Sequence, residues 1–89
     1  MIGKCYKAKY GGQAVIMARG EAIKNLAEFL VISFDEYRVR ISSDLINVLY
    51  LSEYYQEITL DDFKKAFKDF IQAADVIYKD AIREIEGEA

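Results

Sequence analysis

The sequence predicts an α+β fold: a small antiparallel sheet, built from an N-terminal hairpin plus a third strand, packed against two or three helices, the C-terminal one long. Three observations predict it. The pair Gly11-Gly12 separates two short runs of strand-forming residues. Strict alternation returns at Tyr37-Arg38-Val39-Arg40-Ile41. From Thr59 onward, apolar residues recur at helical spacing almost to the end of the chain.

Residues 4–10 read as the first strand and residues 14–18 as its returning partner, with Gly11-Gly12 supplying the positive φ angles of a tight turn. Side chains alternate along a strand, so Cys5, Lys7 and Lys9 share one face and Tyr6, Ala8 and Tyr10 the other. The tyrosine face is expected to be the buried one. Beyond Gly20, Ile23, Leu26, Ala27, Leu30 and Phe34 follow the spacing of an amphipathic helix, closed by residues 34–36. Residues 37–41 then form a half-buried third strand with Arg38 and Arg40 on one face.

Residues 45–55 are ambiguous. They are rich in β-branched and aromatic side chains, yet they follow Ser42-Ser43-Asp44, a helix-start signal. A strand here leaves both faces needing cover, so a buried helix is preferred. The strand alternative turns the chain into two successive hairpin-plus-helix units. The last helix is the plainest element. Thr59 caps it, Asp62 follows three residues on, and Asp61 and Asp62 suit the positive end of the helix dipole. Phe63, Phe67, Phe70, Ala74, Ile77 and Ala81 form its stripe, and Ile71, Tyr78, Ile82 and Ile85 widen it. Gly87 and the short tail end it.

With 89 residues, 53% of them hydrophobic and 30% charged, the chain has the composition of a globular protein with room for one core. Residues 1–89 are therefore read as a single compact domain. A single cysteine forms no internal disulfide, and the absence of histidine removes the commonest ligand for zinc, copper or nickel. No cofactor is expected. Small domains without either support often gain stability by association. The lone thiol and the lack of an apolar leader core of about seven residues point to the cytoplasm. No apolar run approaches the length of about 18 residues that a membrane span needs, so no membrane association is expected.

Enzyme chemistry finds little support. Without histidine the usual general base is missing, together with every Ser-His or Cys-His nucleophile arrangement. The carboxylates Asp61, Asp62, Glu53, Glu57, Glu84, Glu86 and Glu88 lack metal-binding spacing and read as solvated faces and caps. Gly11-Gly12 and Arg19-Gly20 follow strands, but no further glycine completes a phosphate-binding motif. Cys5 reads as an ordinary strand residue. Most of the tyrosines, including Tyr10, Tyr37 and Tyr78, fall in core-facing phase and read as packing.

Charge divides the chain. Residues 1–42 hold seven basic against four acidic groups, and residues 43–89 hold five against eleven. The preferred reading is a non-enzymatic protein-interaction module or small regulator or inhibitor. Phe63, Phe67, Phe70 and Ile77 would form its surface for a second copy, giving a homodimer, or for another protein. The alternative is a nucleic-acid-binding module with Lys7, Lys9, Arg38 and Arg40 on one outward sheet face. The segment Ile16-Met17-Ala18-Arg19-Gly20-Glu21-Ala22-Ile23 resembles the strand-to-helix passage of the archaeal Alba chromatin proteins. That likeness covers eight residues; those proteins carry a further strand and helix before this point and are basic, so the chain is not assigned to them.

Overall fold

The computed structural model describes residues 1–35 and 38–87. Five strands form one antiparallel sheet: β1 (Cys5–Ala8), β2 (Gln13–Ala18), β3 (Leu26–Asp35), β4 (Arg38–Asn47) and β5 (Tyr55–Ile58). A 3-10 helix (Val48–Tyr50) runs into the short helix α1 (Leu51–Tyr54), and the chain ends in the long helix α2 (Leu60–Ile85). The spatial order is β4-β3-β2-β1-β5, so the strands that flank α1 in sequence lie at opposite edges.

This architecture corrects the expected one of three strands and two or three helices. The predicted first helix is instead β3, which pairs with β2 and β4 along its length. Its apolar residues satisfy helical spacing by coincidence, because both faces of the strand are covered. Leu30, Ile32 and Phe34 point to one side, Ala27, Phe29 and Val31 to the other. A strand buried on both faces loses its polar alternation and reads as a continuous apolar run. The expected third strand is longer than predicted. Ser42-Ser43-Asp44, read as a helix start, lies inside β4, where the Ser42 hydroxyl donates to Asp44 at 3.3 Å and that of Ser43 to Glu28 on β3 at 2.7 Å.

Residues 45–55 are neither one helix nor one strand. They hold the end of β4, the 3-10 helix, α1 and the start of β5. Asn47 makes the turn, its side chain accepting from the Leu49 N–H at 3.0 Å. Glu36 and Tyr37, to which the end of a helix and the start of a strand were ascribed, lie outside the described residues, as does Glu88.

The chain crosses the sheet twice. On the back face, Leu51 from α1 closes over Tyr6, Ile16, Ala18, Ala27 and Phe29, with the Tyr6 and Phe29 rings edge to face at 6.2 Å. On the front face, α2 lays Phe63 and Phe70 on Cys5, Val15 and Ile32. The Thr59 hydroxyl starts this helix by accepting from the Asp62 N–H at 3.0 Å. Both faces of β1 are thus covered, which corrects the expectation of one buried tyrosine face. Tyr6 and Cys5 are both buried, whereas Tyr10 lies beyond the strand and is exposed.

The segment between β2 and β3 is a hairpin-like turn in place of a helix start. Ile23 and Leu26 exchange backbone hydrogen bonds of 2.8 and 3.0 Å. Lys24 and Asn25 between them take positive φ angles of 51° and 66°, the two-residue turn whose twist suits antiparallel strands. The likeness of residues 16–23 to a strand-to-helix passage therefore ends at Ala18.

Candidate self-association surface

The stripe predicted on α2 divides at Phe70. Phe63 and Phe70 are 5% and 6% exposed and belong to the front core, with Phe67 and Ala66 packed beside them. Burial of each phenylalanine contributes about 2–3 kcal/mol, so the first half of the helix is held by its own sheet. Phe34 of β3 stacks on Phe70 at 6.0 Å, and Val39 of β4 packs against the same cluster. Phe63 and Phe70, named above as interaction candidates, therefore serve the fold of the chain itself, while Phe67 is half-buried, packing beside them and keeping part of its ring on the open flank of the helix.

Beyond Phe70 the helix continues to Ile85, and none of these residues belongs to either core cluster. At 1.5 Å per residue this extension is about 22 Å long. The molecule measures 55 × 21 × 21 Å with a radius of gyration of 15.7 Å, against about 12 Å for a compact domain of this length. Ile77 is half-buried on the extension, while Ile71, Tyr78 and Ile85 are 47%, 64% and 84% exposed. These three recur every seven residues with Ala74 and Ala81 between them, the spacing of a helix-pair seam. Polar residues support the helix along the rest of its circumference: Lys79 pairs with Asp75 at 3.0 Å and Arg83 with Asp80 at 3.5 Å.

One flank of α2 carries an open, largely apolar groove lined by Lys64, Phe67, Lys68, Ile71 and Gln72. Sequence reasoning did not single out its lysines. Their signal was the i, i+4 placement of Lys64 and Lys68 beside Phe67 and Ile71, which puts two positive charges along an apolar strip.

The basic face is not assembled. Lys7 follows Cys5 on the front face, in the row Lys7, Val15, Ile32 and Ile41. Arg40 lies in the adjacent row with Ser33 and Ala14, on the back face, and Arg38 points the same way. Two strands also separate β1 from β4, a gap of about 14 Å. The Lys9 ammonium turns toward α1 and donates to the Ser52 carbonyl at 2.6 Å. Arg40 approaches Asp35 at 3.9 Å.

The other sequence candidates offer no reactive constellation. Cys5 is buried, its thiol donates to the Gly3 carbonyl at 3.4 Å, and burial pushes its pKa up. Among the described residues no group of three His, Cys, Asp or Glu side chains is placed to hold a metal ion. Gly20 precedes a turn and strand, so it forms no phosphate cradle at a helix start. Tyr10 and Tyr78, expected to pack, are exposed, as are Tyr50 and Tyr54, whose rings lie 6.5 Å apart. Tyr37 lies outside the described residues. Among the described residues no helix is long and apolar enough to cross a membrane. No family model, curated protein or solved structure matches the chain.

Proposed function

We propose that the chain is a non-enzymatic interaction module that pairs with a second copy of itself through the C-terminal half of α2. The observation that carries this reading is the seven-residue repeat of Ile71, Tyr78 and Ile85, exposed on a helix that outruns its sheet. An unsupported helix of this length is marginal in water and gains most of its stability from packing an apolar face. The stripe supplies that face and the repeat supplies the geometry of a helix pair. The absence of histidine, and with it of the usual general base, supports a binding role over catalysis.

Sedimentation velocity of the full chain over a range of concentrations tests the reading. A dimer is expected for the unmodified chain. A double substitution, Ile71→Asp with Tyr78→Asp, should give a monomer whose circular dichroism keeps its sheet signal, since neither side chain belongs to a buried cluster. A strictly monomeric chain at about 100 μM would rule the proposal out. Salt-sensitive binding of labelled DNA or RNA by such a monomer would favour the nucleic-acid alternative, with Arg38 and Arg40 as the first side chains to replace.

A further inference from the structure

The groove on α2 and the tip of the same helix have opposite character. Phe67 and Ile71 give the groove an apolar floor, and the charges on its rim, Lys64 and Lys68, are both positive. The tip presents Ile85, 84% exposed, between Glu84 and Glu86. The last carbonyls of the helix add the negative end of its dipole there.

We infer that the groove receives the C-terminal tip of α2 from a second copy, in an antiparallel helix pair related by a two-fold axis near Ala74 and Asp75. The inference rests on the self-association reading and specifies its geometry. An axis at this point sets Ile71 against Tyr78 of the second copy, Phe67 against Ile82 and Lys64 against Glu86. The small side chain of Ala74 leaves room for the helices to approach at the axis. Each contact occurs twice, as a two-fold interface requires. A parallel pair would instead set Lys64 and Lys68 against the same lysines and Glu84 and Glu86 against the same glutamates. Like charges disfavour that arrangement and the opposed ones favour the antiparallel register.

The test mixes full-length chains carrying Lys64→Cys with chains carrying Glu86→Cys under mild oxidation, with Cys5 left in place and the unmodified chain as control. Disulfide-linked dimers are expected in the mixture and not in either variant alone. Linkage within the Lys64→Cys or Glu86→Cys sample alone would show parallel helices and overturn the inference. A dimer by sedimentation that forms none of these links would place the contact elsewhere and overturn it too, while leaving self-association intact. A monomer by sedimentation would remove the inference and the reading beneath it together. As a second measurement, Lys64→Glu with Lys68→Glu should weaken the dimer about tenfold, and Glu84→Lys with Glu86→Lys in the partner chain should restore it. Failure of that rescue would count against the register.

Discussion

The rings of Phe34 and Phe70 stack 6.0 Å apart with their planes 20° from parallel, joining the far end of β3 to the middle of α2. This contact divides the helix into a half that belongs to the core and a half that does not. Replacing Phe70 by Ala should therefore destabilise the chain by about 3–5 kcal/mol, read as a fall in the urea midpoint at fixed protein concentration. Ile85→Ala, at the far end, should change the stability of the monomer by less than about 0.5 kcal/mol. Equal effects at the two positions would contradict the division.

The turn at Lys24 and Asn25 holds two non-glycine residues at positive φ. A side chain at Lys24 costs about 1 kcal/mol in that conformation, and glycine there removes the cost. Lys24→Gly is expected to raise the thermal midpoint measured by calorimetry.

Thr59→Ala should lower stability by about 1 kcal/mol, because the Asp62 N–H loses its acceptor at the start of α2. Thr59→Ser keeps the hydroxyl and should retain most of the effect in chemical denaturation.

Glu21 carries the acid-sensitive prediction. Its carboxylate accepts a hydrogen bond from the Met1 ammonium at 3.2 Å and from the Ile2 N–H at 3.4 Å. The ammonium bond, then the Ile2 bond and the charge attraction, hold its pKa below the usual glutamate range. A depressed folded pKa means that the contribution is present above the unfolded-chain value of about 4.3. It is lost as pH falls through the lower folded value. An NMR titration should find the Glu21 midpoint below the ordinary value, and Glu21→Gln should flatten the acid limb of the stability curve slightly.

Cys5 should react with a thiol reagent such as Ellman's only after unfolding, because β1 is covered on its side by Phe63 and Phe70 and its thiolate is disfavoured by burial. Rapid labelling under native conditions would mean that α2 opens readily from the front face.

The turn at Gly11-Gly12 and the capped start of α2 were legible in the sequence because each rests on local chemistry: left-handed glycine backbone in one case, a Thr59 hydroxyl and a long apolar stripe in the other. β3 was not legible, because Leu26, Ala27, Leu30 and Phe34 fit a helix as well as a strand covered on both sides. The order of the strands was hidden as well. Nothing local in residues 48–58 says that the chain crosses the whole sheet before pairing with β1, and that crossing is what buries Leu51. For the candidate site, the stripe was visible but its division was not. Which phenylalanines meet the sheet depends on where the sheet ends. The basic face was not assembled for a related reason: alternation says which residues share a face within one strand, not which faces of two strands coincide, and pairing through β2 and β3 puts Lys7 and Arg40 on opposite faces.

The position of β5 has a consequence for how the chain acquires its structure. β1 with β2, β2 with β3 and β3 with β4 are neighbours in sequence, so each of these ladders closes a short loop. The seam between β1 and β5 joins Cys5 to Ile58, closing a loop of about fifty residues at a higher entropic cost. During synthesis the outer edge of β1 stays open until Ile58 has left the ribosome, and α2 cannot seat on Cys5 before that. The chain thus carries an unsealed strand edge until Ile58 is free to pair, and the seam at Cys5 and Ile58 is the ladder of this sheet with the largest loop to close.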